Sequence, residues 1–176
     1  MTKAPLRRVL TLDLRTRRFG YVVFAGPHVL LDWGTRSYGD EEHSSLDWRL
    51  TNLQASFAPS VILVRLITKR HGFAEPTIRR GFRSLEVFAK RMLITVNLID
   101  QARIRSFFSG ESQVNKHDIA QMIANRFPEL SWRLPPERKP WQSEPTRQSI
   151  FDAASVGVFY FAQHAENQET AIRHLE

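Results

Sequence analysis

Five stretches of the chain carry the alternating or continuous apolar pattern of β-strands. They are separated by turn-forming clusters such as Arg15–Arg18 and Ala25–His28. Three of the stretches follow one another directly, which predicts an antiparallel meander. The fourth is apolar except for Arg65, as strands buried on both faces are. The five predicted strands are Val9–Asp13, Tyr21–Phe24, Val29–Tyr38, Val61–Leu66 and Ile94–Ile99.

Segments with helical periodicity lie between the later strands and follow them toward the end of the chain. Leu46, Leu50 and Leu53 fall on one stripe of a first helix, which Pro59 ends. Comparable stripes recur three more times. The predicted helices cover Leu46–Phe57, Thr77–Leu93, Lys116–Phe127 and the residues from Thr146 onward.

The order of these elements is β-β-β-α-β-α-β-α-α, with an apolar and basic segment at Ala102–Phe108 and a Pro-, Arg- and Trp-rich connection at 128–147. A meander followed by alternating helices and strands is typical of an α/β fold. We expect a three-layer sandwich around a mixed five-stranded sheet, with strand one central and strands four and five parallel to it. Residues 1–163 are expected to form one domain, and residues 164–176 a polar helical tail.

Composition narrows the classes of partner. The 25 basic residues exceed the 18 acidic ones by seven, and the pI is about 10.4, which favours polyanion binding. The chain has no cysteine, so disulfides and thiolate metal sites are excluded and a reducing, cytoplasmic compartment is expected. No apolar run approaches the roughly 20 residues of a membrane span, so we expect no membrane partner. Residues 1–8 lead directly into a strand pattern, which argues against a presequence.

Asp13 is the most informative single residue. A carboxylate at the end of a core strand costs several kcal/mol if it is buried without compensation. It is useful there if it holds a cation, and Mg²⁺ prefers oxygen ligands such as carboxylates. The alternative is a solvated acid at the end of an edge strand.

Several motifs in order resemble the RuvC-type Holliday junction resolvases of the RNase H-like superfamily, over roughly residues 7–162. In that family an acid ends strand one and is followed by Arg and Gly-Tyr, as Asp13, Arg17, Gly20 and Tyr21 are here. The last helix of the family carries an Asp-Ala pair, matched by Asp152. The remaining matched segments are Trp33–Arg36, Asn97–Asp100, Arg103–Arg105, Ser109–Gly110 and Asn115–Lys116.

The resemblance implies a catalytic and metal-binding pair, Asp13 and Asp152, holding Mg²⁺ or Mn²⁺ for phosphodiester hydrolysis. It also implies branched DNA, rather than RNA, as the partner, and a homodimer matched to a two-fold symmetric junction. Lys116 would contact phosphate, as in the resolvases, and other basic residues are candidates from the charge pattern. For the helical ones an ordinary solvated face is the alternative. The candidate nucleic-acid-binding residues are Arg17, Lys69, Arg70, Arg79, Arg83, Arg105 and Lys116.

The chain departs from the family pattern at the metal site. Arg65 stands where the resolvases have a Glu at the end of strand four, and a guanidinium cannot ligate a cation. Ser149 replaces an acid that the family often has three residues before the last Asp. We therefore expect Arg65 to pair with Asp13 or Asp152, and nuclease activity to be weak or lost. The alternative is an active endonuclease that recruits a third carboxylate, with Glu144 and Asp100 as the nearest candidates.

Overall fold

A computed structural model describes residues 7–66, 76–110, 112–139 and 141–173. Five strands and five α-helices account for most of these residues, and two 3-10 helices, Glu42–Ser44 and Pro128–Arg133, lie in connections. The strands are β1 (Arg8–Leu14), β2 (Arg18–Ala25), β3 (Leu30–Ser37), β4 (Val61–Leu66) and β5 (Thr95–Asp100). The helices are α1 (Leu46–Phe57), α2 (Pro76–Met92), α3 (Gln101–Ser109), α4 (Lys116–Arg126) and α5 (Gln148–Arg173).

The strands form one mixed sheet in the order β3-β2-β1-β4-β5. The pairs β1–β2 and β2–β3 are antiparallel, whereas β1–β4 and β4–β5 are parallel. The predicted mixed five-stranded sheet with a central first strand is therefore confirmed. Because β1 and β4 run in the same direction, their carboxyl ends meet at one edge of the sheet.

Alternation along β1 divides the core into two layers. Leu10, Leu12 and Leu14 pack with α1 and α2 on one face of the sheet. Val9 points to the other face, where α3, α4 and α5 cover the sheet. The same period places Asp13 on the α5 side of β1, and Arg65 joins Val61 and Leu63 on that side of β4. Strand alternation alone thus turns both charged residues toward one helix.

The structure differs from the sequence prediction mainly after β5. The segment Ala102–Phe108 lies in a helix, α3, which the predicted element order omitted. The side chain of Asp100 caps this helix by accepting a hydrogen bond from the backbone N–H of Ala102. Helix α5 passes residue 163 without a break and is described as far as Arg173. Among the described residues, no helix has the length and apolar character needed to cross a bilayer.

Candidate functional site

Asp13 and Arg65 form a buried ion pair at the carboxyl ends of β1 and β4. The side chain of Asp13 is fully buried. Leu12 of β1 pairs with Val64 of β4, and Asp13 and Arg65 are the next residues on these two strands. Nε and Nη2 of Arg65 both donate to Oδ1 of Asp13, at 2.9 and 2.6 Å. The predicted pairing of Arg65 with Asp13 is present. It follows from the parallel register, because adjacent positions of two parallel strands hold their side chains side by side.

Helix α5 brings Asp152 to the same guanidinium. Oδ2 of Asp152 lies 2.9 Å from Nη2 of Arg65, the nitrogen that also contacts Asp13. Gln148, four residues earlier on the same helix face, donates from Nε2 to Oδ1 of Asp152 at 3.2 Å. Two acids that are far apart in sequence therefore share one buried cation.

Two further cations complete the cluster. Nε of Arg15 donates to Oδ2 of Asp13 at 2.7 Å, and its Nη2 reaches Asp152 at 2.9 Å and Glu144 at 3.0 Å. Nζ of Lys116 lies 2.9 Å from both carboxylate oxygens of Glu144 and 3.4 Å from Asp152. Three carboxylates thus face three cations. We call these six residues the acid–base cluster: Asp13, Arg15, Arg65, Lys116, Glu144 and Asp152.

A close approach of α5 to β2 sets the position of Asp152. Gly20 pairs with Asp13 across the β1–β2 ladder, and any Cβ at Gly20 would overlap the backbone carbonyl of Ser149. The missing side chain lets the first turn of α5 reach the sheet. Oγ of Ser149 then donates to Oδ2 of Asp13 at 2.5 Å.

Lys116 is placed by a strong helix start. The side chain of Asn115 accepts hydrogen bonds from the backbone N–H groups of His117 and Asp118. The carboxylate of Asp118 in turn accepts a hydrogen bond from the backbone N–H of Asn115. This reciprocal capping box fixes the first turn of α4. Lys116 is the first residue of that turn, so its ammonium group points from a defined position toward Glu144.

The two buried acids have opposite pKa shifts. Burial alone would raise the pKa of Asp13, but the charges of Arg65 and Arg15, with the Ser149 hydrogen bond, hold it below its usual value. Burial and the negative charge of Asp13 raise the pKa of Asp152, against the opposing charges of Arg65 and Lys116. Hydrogen bonding from Lys116 and the charge of Arg15 lower the pKa of Glu144, although burial acts to raise it. The arrangement thus favours an ionised Asp13.

The acid–base cluster does not fit a divalent cation. Both oxygens of Asp13 accept hydrogen bonds from guanidinium nitrogens, and Oδ2 of Asp152 lies against Arg15, Arg65 and Lys116. The guanidinium of Arg65 offers only hydrogen-bond donors and no lone pair for a metal ion. Within the described ranges, no three His, Cys, Asp or Glu side chains form a group that could hold a metal ion.

Two of the candidate nucleic-acid-binding residues lie at the acid–base cluster: Lys116 belongs to it, and Arg105 lies beside it. Arg105 and Lys116 line a cleft of about 400 Å³ together with Glu144 and Gln148, and Arg138 adds another positive charge. We call this space the α3–α4 cleft. Glu137 also lines this cleft, so its three cations face two carboxylates, Glu137 and Glu144.

The other candidates lie elsewhere. Arg17 is exposed and lines a shallow basic surface with Arg15 and Arg18. Arg79 and Arg83 are exposed on α2, in the opposite helical layer, and neither lines the α3–α4 cleft. Lys69 and Arg70 lie outside the described residues.

Sequence reasoning did not assign roles to Arg15, Gln148 and Ser149, and it named Glu144 only as an alternative. Two signals were present. Arg15 stands two residues after Asp13, just past the end of β1, so it is near enough in sequence to contact that acid. Gln148 and Ser149 stand four and three residues before Asp152, on one helix face. Asp100, the other candidate third carboxylate, instead caps α3.

The mixed sheet, with a C-terminal helix that carries an acid to the end of its central strand, is an RNase H-like architecture. Solved structures with the same fold include Holliday junction resolvases. No family model and no curated protein sequence matches the chain.

Three solved structures illustrate the likeness. Thermus thermophilus RuvC, in complex with a Holliday junction substrate, aligns over 91% of this chain and 96% of its own, with 13% identity and a TM-score of 0.66. The yeast mitochondrial Holliday junction resolvase aligns over 98% and 85%, with 16% identity and a TM-score of 0.63. The fowlpox virus resolvase, in complex with Holliday junction DNA, aligns over 88% and 99%, with 13% identity and a TM-score of 0.56. The predicted RNase H-like fold of the RuvC type is therefore confirmed.

Proposed function

We propose that the protein binds branched DNA of the Holliday junction type, as a homodimer, and that it has lost most or all metal-dependent cleavage. The observation that carries the proposal is the position of Arg65. Its buried guanidinium lies between the two acids that a RuvC-type nuclease would use for metal binding. The fold and the basic surroundings support DNA binding, whereas Arg65 argues against cutting.

Charge supports the binding half of the proposal. The formal net charge is +7. The cations of the α3–α4 cleft outnumber its carboxylates by three to two. Each cation that neutralises a phosphate releases a counterion and contributes affinity that falls with salt. Two of the solved structures with this fold contain Holliday junction DNA. A two-fold symmetric junction suits two copies of one chain.

Electrostatics support the loss of cleavage. A unit charge pair at 4 Å with an effective dielectric constant near 20 is worth about 4 kcal/mol. Arg65 supplies an attraction of this order to Asp13, and it opposes an incoming divalent ion by a comparable or larger amount. The Arg65 side chain is only 3% exposed, so it has little room to leave the site.

An active Mg²⁺- or Mn²⁺-dependent endonuclease is the second candidate, and the position of Glu144 favours it. Glu144 and Asp152 share contacts with Arg15 and Lys116, so a third carboxylate is present beside the pair. Arg15 and Lys116 are partly exposed and can move aside for a substrate. Arg65 would still remain beside Asp13, which is why we prefer the first candidate.

The test is binding and cleavage of labelled four-way, forked and linear duplex DNA by the wild type, Asp13→Asn and Arg65→Glu. We expect the wild type to bind the four-way junction most tightly, with affinity that falls steeply between two salt concentrations. We expect little or no cutting in Mg²⁺ or Mn²⁺. Absence of binding to every probe at low salt would contradict the proposed nucleic-acid binding. Robust wild-type cutting that Asp13→Asn abolishes would establish the second candidate instead.

A further inference from the structure

A second basic groove lies beside the α3–α4 cleft, and Pro145 lines both. It has a volume of about 450 Å³ and runs between β3 and the start of α5. Its lining includes three arginines and no carboxylate. The lining residues are Trp33, Gly34, Thr35, Arg36, Arg133, Pro145, Thr146, Arg147 and Ile150. We call this space the arginine groove.

The three arginines come from separate parts of the fold. Arg36 belongs to β3, Arg133 ends the 3-10 helix before the long connection, and Arg147 directly precedes α5. All three are exposed, and none makes an ion pair with a carboxylate of the described ranges. They differ in this respect from the cations of the acid–base cluster, which carboxylates neutralise. The arginine groove therefore presents uncompensated positive charge, which suits phosphate groups.

An exposed aromatic residue adjoins this charge. Trp132 is 66% exposed, although tryptophan is usually highly buried in folded proteins. The guanidinium carbon of Arg133 lies 3.9 Å from the centre of the Trp132 ring. Arg133 thus links the groove to the indole, covering one of its faces while much of the side chain stays open. A rigid indole backed by a cation is a stacking surface for a planar base.

We propose that the arginine groove and Trp132 bind an unpaired nucleic-acid strand, with phosphates in the groove and a base on the indole. A basic groove combined with an exposed aromatic is the arrangement that binds single strands without sequence preference. A duplex offers phosphates but no free base face, because its bases are stacked on one another. This site lies outside the acid–base cluster and uses none of its residues, so it is independent of whether the protein cuts DNA.

The experiment measures fluorescence anisotropy of labelled oligothymidylate and oligouridylate, each of about 16 nucleotides, and of a fully paired four-way junction. We expect the wild type to bind the single strands, and the two sugars to show whether DNA or RNA is preferred. Trp132→Ala should weaken single-strand binding about tenfold and leave junction binding within about twofold. For single-strand binding by Arg147→Gln, the slope of log affinity against log salt concentration should be smaller by about 0.7.

Two matched variants serve as controls. Trp141→Ala removes another exposed indole, 78% exposed, which is covered by Lys139 rather than by an arginine of the groove. Lys90→Gln removes one charge from α2 in the opposite helical layer. Both should leave single-strand affinity within about twofold. A comparable loss in either control, or no effect of Trp132→Ala, would overturn the assignment. A wild type that binds the junction but no single strand would also overturn it, without affecting the proposed junction binding.

Discussion

Arg65 is the residue on which the electrostatics of the site depend. Its guanidinium is buried on a central strand and donates twice to one oxygen of Asp13, while one of its nitrogens also contacts Asp152. Buried charges are tolerated when they are paired and hydrogen-bonded, and removing one partner leaves the other uncompensated. Arg65 and the acids are therefore coupled in stability, whatever the protein does with DNA.

Arg65→Leu should lower the free energy of unfolding by about 3–5 kcal/mol at neutral pH, because the buried acids lose their main counter-charge. In the wild type the pKa of Asp13 is lowered, so the stability it contributes is present above its unfolded value and is lost as pH falls through the folded value. Without Arg65, burial raises that pKa, and ionising the acid opposes folding. The difference in the free energy of unfolding between the wild type and Arg65→Leu should therefore shrink below about pH 4.

The measurement is urea unfolding of both proteins at neutral and acidic pH. Arg91→Leu is a matched control, since Arg91 pairs with Asp47 at 2.9 Å on the surface. A surface pair of this kind contributes at most about 1 kcal/mol. A comparable loss for the two variants, or an Arg65→Leu effect that is independent of pH, would contradict the coupling.

The sequence predicted part of the site for a clear physical reason. Asp13 and Arg65 stand out because a charge in an otherwise apolar strand requires a partner, and parallel strands bring them together. Arg15 stands in a basic turn and is partnered with residues distant in sequence. Its contacts with Asp152 and Glu144 depend on the path of the long connection, which periodicity does not specify.

At the scale of elements, the meeting of β2 with α5 builds the site. Gly20 gives the first turn of α5 room beside the sheet, so that Ser149 reaches Asp13 and Asp152 reaches Arg65. Strand and helix spacing predicted both elements, but not how close they approach. Helix α3 was missed because it is only nine residues long and its apolar residues, Ile104, Phe107 and Phe108, span little more than one turn.

Gly20→Ala should destabilise the protein by about 1–3 kcal/mol, because the new methyl group meets rigid backbone at Ser149. It should also disturb the acid–base cluster, since α5 must move away from β1. Gly34→Ala is the control, because a Cβ there would lie 3.4 Å from the Tyr21 ring, an ordinary contact. Thermal unfolding compares the two variants. Equal melting temperatures would show that the close approach is not needed.

At the scale of the molecule, neutralised and free charge are separated in space. The acid–base cluster is balanced internally. Positive charge outside the cluster faces solvent at Arg105 and Arg138 of the α3–α4 cleft, in the arginine groove and near Arg17. Charge distribution governs partner binding rather than the fold. The positions of Lys69 and Arg70 relative to these surfaces stay a prediction.

Under the proposed junction binding, Arg105→Gln should weaken binding across sequences, because Arg105 lines the α3–α4 cleft and would lose a phosphate contact. The slope of log affinity against log salt concentration should fall by about 0.9. Arg126→Gln, at the end of α4, removes the same charge outside this cleft and outside the arginine groove. Its salt slope should match that of the wild type. Identical slopes for both variants would mean that DNA does not use the cleft.

We expect the protein's own cations, rather than a metal, to neutralise Asp13 and Asp152. Calorimetric titration with Mn²⁺ of the wild type, Asp13→Asn and Arg65→Glu tests this expectation most directly. We expect the wild type to bind Mn²⁺ no better than Asp13→Asn, and Arg65→Glu to gain affinity because a repelling charge becomes an oxygen ligand. Stoichiometric Mn²⁺ binding by the wild type that Asp13→Asn abolishes would contradict this expectation.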